Sequence, residues 1–165
     1  MIIAAYAGCG KSMFAAMRGE SAIDLHCIPY KYYLDDNDID RGEAGKADPD
    51  NEMRPEWPLN YVKAIETVMD KYDFVLIPSD YRVLGLLAGR QIPYTLVYPR
   101  RDCREEYLQR YINRGNTENF LSIFYEHWDW FIDSLEADMH DNHIVLQPHQ
   151  FLSDVVDKKL DRERI

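Results

Sequence analysis

Ile2-Ile3-Ala4-Ala5-Tyr6-Ala7-Gly8-Cys9-Gly10-Lys11-Ser12-Met13-Phe14-Ala15-Ala16-Met17 is the stretch on which the reading of the fold turns. Its apolar start, Ile2 to Ala5, has the unbroken hydrophobicity of a strand buried on both faces. Its end, from Lys11 onward, is built of helix formers. Between them lies a small-residue turn closing in Gly-Lys-Ser, the spacing of a phosphate-binding loop. In such a loop the backbone N–H groups converge on the ligand and the following helix adds the positive end of its dipole. On this reading the residues that cradle a polyphosphate are Tyr6, Ala7, Gly8, Cys9, Gly10, Lys11, Ser12 and Met13. Lys11 reaches the terminal phosphates, and the Ser12 hydroxyl is a ligand for Mg²⁺. Ala5 occupies a position where the strict motif has Gly, and its small side chain still permits a tight exit from the strand.

Outward from this stretch, strand and helix patterns alternate. Ala22 to Cys27 reads as a short second strand. Asn60 to Tyr72 carries Val62, Ile65, Val68 and Met69 at helical spacing. Asp73 to Pro78 is a buried strand, Val83 to Arg90 a helix, and Tyr94 to Tyr98 a fourth strand stopped by Pro99. Helices are expected over Asp102 to Asn113, closed by Gly115, and over Thr117 to about Ala137, begun by a cap at Asn116. The second carries Phe120, Phe124, Trp128, Phe131 and Leu135 along one face, the pattern of a packed helix. His143 to Gln147 is a fifth strand and Phe151 to about Leu160 a closing helix. The expectation is a single α/β domain over 1–165: a three-layer α/β/α fold on a five-stranded parallel sheet with right-handed crossovers. Ligands of such sheets bind at the carboxyl ends of the strands.

The 165 residues, 46% hydrophobic and 13% aromatic, suit one folded domain with a substantial core rather than a disordered chain. No apolar run approaches the ~20 residues of a membrane span, and the N-terminus lacks a secretory pattern. Cys9, Cys27 and Cys103 are widely spaced, so reduced thiols and a cytoplasmic location are expected. A formal net charge of −10 argues against a nucleic acid polymer or a membrane as partner. The charge is uneven. Residues 35–56 hold nine acids and three bases, whereas Arg100, Arg101, Arg104, Arg110 and Arg114 fall within fifteen residues. His140 and His143 read as lying at a surface turn.

The third strand ends Ile77-Pro78-Ser79-Asp80-Tyr81-Arg82, and Asp80 and Arg82 stand where nucleoside monophosphate kinases of the P-loop type often carry an Asp-Gly-Phe-Pro-Arg-like turn. Together with the phosphate loop, and with the stretch from Tyr107 to Trp128, the chain resembles that kinase group and a small set of phage and bacterial nucleotide-kinase-like proteins. The resemblance implies a P-loop NTPase fold with a helical lid, and transfer of a phosphoryl group from ATP to a small acceptor, a nucleoside or deoxynucleoside monophosphate. It implies Mg²⁺ held by Ser12 with Asp80, and a lid over about 100–116 from which Arg110 and Arg114 close on the transferred group. These two arginines are four apart and share a helical face with Cys103 and Tyr107. Their planar forks suit phosphate oxygens. Arg101 and Arg104 read instead as surface ion-pair residues.

For the acceptor the expectation rests on Asp24, at the end of strand two, which would orient an acceptor hydroxyl or take its proton; a turn or cap carboxylate is the simpler alternative. Tyr30, Arg54, Trp57 and Arg82 are further acceptor-binding candidates, on or near an excursion over about 30–58 read as an acceptor-side flap. Two other functions stay open: a kinase of a nucleoside or other small hydroxyl metabolite, and a nucleotide-binding protein without catalysis.

Overall fold

The computed structural model describes residues 1–34, 51–140 and 142–156. Ile2–Ala5 forms strand β1, every residue of it buried. It lies at the centre of a sheet ordered β2-β3-β1-β4-β5, with β2 at Ala22–Asp24, β3 at Phe74–Pro78, β4 at Thr95–Pro99 and β5 at His143–Leu146. All four pairings are parallel, with Ile3 opposite both Leu76 and Thr95. Parallel strands with both faces covered are largely apolar, and β1, β3 and β4 are, with Thr95 of β4 a buried polar exception. The chain is thus α/β on a five-stranded parallel sheet.

The strand order positions the ligand crevice. The connection leaving β1 runs toward β2, whereas the connection leaving β3 crosses to β4 on the other side. A gap opens where neighbouring connections diverge, beyond the carboxyl ends of β1 and β3. Helix α1, Lys11–Arg18, packs on β2 and β3, while α3, Leu59–Val68, packs on α4, Tyr81–Gly89. With right-handed crossovers these sets fall on opposite faces, an arrangement compatible with three layers.

Several elements depart from expectation. Strand β2 ends at Asp24, not Cys27, because Cys27 caps a helical turn, α2 at Ile28–Lys31, with Pro29 in its first turn. A 3₁₀ turn at Arg101–Cys103 precedes α5, Arg104–Asn113. The expected long aromatic helix is two: α6, Glu118–Phe124, and α7, Trp128–Glu136. An unbroken helix would set Phe124 and Phe131 about 10 Å apart along its axis. The break folds them into a stacked pair with centroids 5.3 Å apart, and Trp128 Nε1 then donates to the Arg101 carbonyl at 2.9 Å. Thr117, not Asn116, caps α6 by accepting from the Phe120 amide at 3.2 Å. The closing helix is seen over 152–156; the remainder of that expectation lies outside the described residues.

His140 and His143 are not surface-turn residues. Both reach the Asp138 carboxylate, at 3.1 and 3.5 Å, and hydrogen-bond the Tyr94 and Tyr98 hydroxyls. Among the described residues no helix is long and apolar enough to cross a membrane.

Candidate functional site

The loop between β1 and α1 bends through two left-handed glycines, Gly8 at φ 86° and Gly10 at φ 94°. A side chain at Gly8 would also meet the Tyr111 ring at 3.0 Å, and one at Gly10 the Phe151 ring at 3.2 Å. Conformation and space both demand glycine there. The turns leave few of the loop's amides bonded within the protein. Those of Tyr6 and Cys9 are taken by the Val97 and Tyr6 carbonyls, at 2.9 and 3.2 Å. The amides of Ala7, Gly8, Gly10, Lys11, Ser12 and Met13 have no acceptor among the described residues. The last three are the ordinary orphan donors of a helix start, which here join the loop's own.

Not every expected contact faces that cradle. The Tyr6 ring is buried among Phe124, Trp128 and Phe131, edge-on to each, and the Cys9 thiol lies against the Tyr107 hydroxyl at 3.4 Å. Burial pushes the Cys9 thiol pKa up, away from thiolate reactivity. Both side chains fill space behind the loop.

Lys11 Nζ donates to the Ala5 carbonyl at 2.9 Å, curled back into its own loop. Loss of water pulls its pKa below the ordinary lysine value, and the nearby Arg114 charge pushes the same way, against the attraction of Asp24. Ser12 Oγ donates to Asp24 Oδ2 at 2.5 Å, and His26 Nε2 stands 3.6 Å from the same oxygen. Asp24 Oδ1 has no partner among the described residues. Asp80 is engaged differently. It caps α4 by accepting from the Arg82 amide at 2.9 Å, and its two oxygens take Arg82 Nε and Nη2 at 3.2 and 2.9 Å. Burial alone would raise the Asp80 pKa, but Arg82 outweighs it and holds the carboxyl below the usual range. The carboxylate that meets Ser12 directly is thus Asp24, while Asp80, the expected partner of Ser12 on the metal, is held by Arg82.

The two arginines of α5 have separate fates. Arg114 ends the helix exposed, with no carboxylate partner among the described residues. Arg110 is turned behind the loop. Its guanidinium donates to the Gly8 and Gln150 carbonyls at 2.9 and 3.0 Å and to Glu106 at 2.5 Å, and lies 3.9 Å over the Phe151 ring. Tyr107 and Tyr111 are buried beneath it, and α5, within the segment expected to serve as a lid, packs against the loop. Arg101 pairs with Asp129, Asp133 and Glu136. Arg104 donates to the Tyr125 carbonyl at 3.0 Å instead of forming the expected ion pair.

Beyond Asp24 an aromatic wall forms. Trp57 packs on Tyr61, which also takes the edge of Tyr30. Lys31 Nζ and the Arg82 guanidinium each stand 5.7 Å from the Trp57 ring, and Arg54 stacks 4.5 Å over Tyr33 while donating to the Tyr32 carbonyl. Asp24 and Asp80 both fall within electrostatic reach of the Tyr61 hydroxyl, whose pKa burial raises. Tyr30, Trp57 and Arg82 thus share one cluster with Tyr61 and Lys31, while Arg54 lies on Tyr33. Residues 35–50 of the expected flap lie outside the described residues. Tyr111, Leu152 and Phe151, which support the loop, were not anticipated; Tyr107 and Tyr111, one turn apart in α5, were the available signal. The chain matches no family model and no curated protein sequence.

Proposed function

We propose that the chain is an ATP-dependent phosphotransferase whose acceptor is a small phosphorylated molecule, in the first instance a nucleoside or deoxynucleoside monophosphate. The reading is carried by one observation: six amides of the loop and the first turn of α1 have no acceptor among the described residues, and they stand beside Lys11, whose pKa the Arg114 charge helps to lower. Phosphoryl transfer needs little else from a protein than positioning and positive potential. Lys11 leaves the Ala5 carbonyl to take terminal phosphate oxygens, and Arg114 supplies a second charge from the exposed end of α5.

Ser12 and Asp24 form a hard-oxygen pair that would hold Mg²⁺, and the ion would offset phosphate charge there. The Ser12 proton points to Asp24, so a lone pair remains for a ligand bond. The free Asp24 Oδ1 is placed for a metal-bound water or for the acceptor. Lys31, Arg54 and Arg82 set positive charge around Trp57 and Tyr33, which favours an anionic, ring-bearing acceptor over a neutral sugar.

One observation favours a second reading, nucleotide binding without catalysis: Arg110 is committed behind the loop, so α5 offers one closing arginine and not two. Incubation with MgATP and a panel of monophosphates, nucleosides and sugars, scored for ADP and phosphorylated product, separates the readings. A monophosphate product, lost in Lys11→Ala together with triphosphate affinity, is the expected result. Tight MgATP binding with no product from any acceptor would favour the binding module. Unchanged ATP binding by Lys11→Ala would remove the loop assignment.

A further inference from the structure

The carbonyls of the loop show an order that its own sequence does not explain. Ala7 O accepts from the Tyr111 hydroxyl at 3.0 Å, Gly8 O from Arg110 Nη1 at 2.9 Å, and Cys9 O from the Leu152 amide at 2.9 Å. Three consecutive carbonyls are each held outward by a donor from another element. Peptide planes flanking glycine rotate cheaply. A rotation here would swap an inward amide for an inward carbonyl, turning attraction for an anion into repulsion. Within 6–10 the Gly8–Cys9 peptide has one internal tie, the Cys9 amide on the Tyr6 carbonyl at 3.2 Å, and the Ala7–Gly8 and Cys9–Gly10 peptides have none among the described residues.

The donors are themselves fixed. The Tyr111 ring is fully buried, and the side chain of Arg110 is only 11% exposed. Glu106, which grips Arg110, also accepts the His149 amide on both oxygens, at 3.1 and 3.0 Å. Helix α5 and the 147–152 segment therefore form one brace.

We infer that Tyr111 and Arg110 are positioning residues that hold the loop in its anion-binding form by fixing the Ala7 and Gly8 carbonyls outward. The inference rests on the loop's proposed role as a polyphosphate cradle. Neither residue touches the ligand; each acts through a backbone carbonyl.

The test is isothermal titration of the full chain with inorganic tripolyphosphate and with MgATP, alongside thermal melting. Tyr111→Phe deletes one hydroxyl and keeps the ring. Its affinity for both ligands is expected to fall about five- to tenfold, the worth of one lost hydrogen bond. Tyr94→Phe deletes a hydroxyl bonded to Asp138 and His140 near the far end of β4; it is expected to lower the melting temperature comparably and leave affinity unchanged. Arg110→Gln, nearer the surface, provides a second probe should Tyr111→Phe not fold, with the same expected loss. If the Tyr111 and Arg110 variants bind as the wild type does while melting earlier, their role is merely structural and the inference is overturned. If the wild type binds neither ligand, the cradle itself is refuted and the inference with it.

Discussion

Lys11 is held by a bond it must give up. Its ammonium, desolvated and with pKa pulled below the ordinary lysine value, rests on the Ala5 carbonyl. A bound triphosphate favours the charged form and raises that pKa. Between the lowered and raised values the free protein is partly neutral and the complex is charged, so binding takes up a proton. Calorimetry at alkaline pH in buffers of differing ionisation enthalpy should register that uptake, and Lys11→Met should abolish it. For the metal pair, Asp24→Asn should weaken Mg²⁺-dependent nucleotide affinity about tenfold or more while leaving metal-free tripolyphosphate binding nearly unchanged. Equal losses in both would place Asp24 outside metal binding. The turn through Gly8 and Gly10 between β1 and α1 was legible in the sequence because it is local, set by spacing along one turn. The Ser12–Asp24 contact was not, since it depends on how α1 packs against β2.

Helix α5 shows where pattern reading stops. Cys103, Tyr107, Arg110 and Arg114 were visible as one stripe; which neighbour it would face, and the part Tyr111 plays beside it, were not. Two buried tyrosines decide it, drawing Arg110 behind the loop and leaving Arg114 at the open end. Arg114→Ala should therefore cut turnover by about 10²- to 10³-fold with little change in ATP affinity, the opposite partition from Arg110→Gln. The split of α6 from α7 was equally hidden, because the stacking of Phe124 on Phe131 rewards a break that helical spacing does not announce. Glycines divide by element too. Gly85, exposed inside α4 with open space around it, should accept alanine with a gain of about 0.5–1 kcal/mol in chemical denaturation. Gly8→Ala, at positive φ and against Tyr111, should lose both stability and ligand.

Across the whole molecule, a charge of −10 surrounds a site lined by Lys11, Arg114, Lys31, Arg54 and Arg82. Repulsion among the acids is offset where carboxylates are bonded. Asp80 and Asp138 are the buried examples. Burial alone would raise both, yet Arg82 in one case and the His140 amide with the Tyr94 hydroxyl in the other hold their pKa values below 3.8. Their stabilisation is complete above the unfolded-state value and disappears as pH falls through the lower folded one, so acid unfolding should steepen below about pH 4. Asp80→Asn should flatten that limb when denaturant midpoints are compared from pH 5 down to pH 2.5. The alternation of elements made the sheet readable, because apolar runs and turn residues fix strands one at a time. The order in which those strands lie side by side came only from their packing.

The brace behind the loop also bears on how the chain matures. Cys9 precedes strands β2 to β5 along the chain, and the amide that steadies its carbonyl belongs to Leu152, which follows all of them. A nascent chain can lay down four strands and still lack a working cradle. On the proposed reading, full affinity for nucleotide would follow the docking of the fifth strand, and nucleotide would act chiefly as a seal on the finished product.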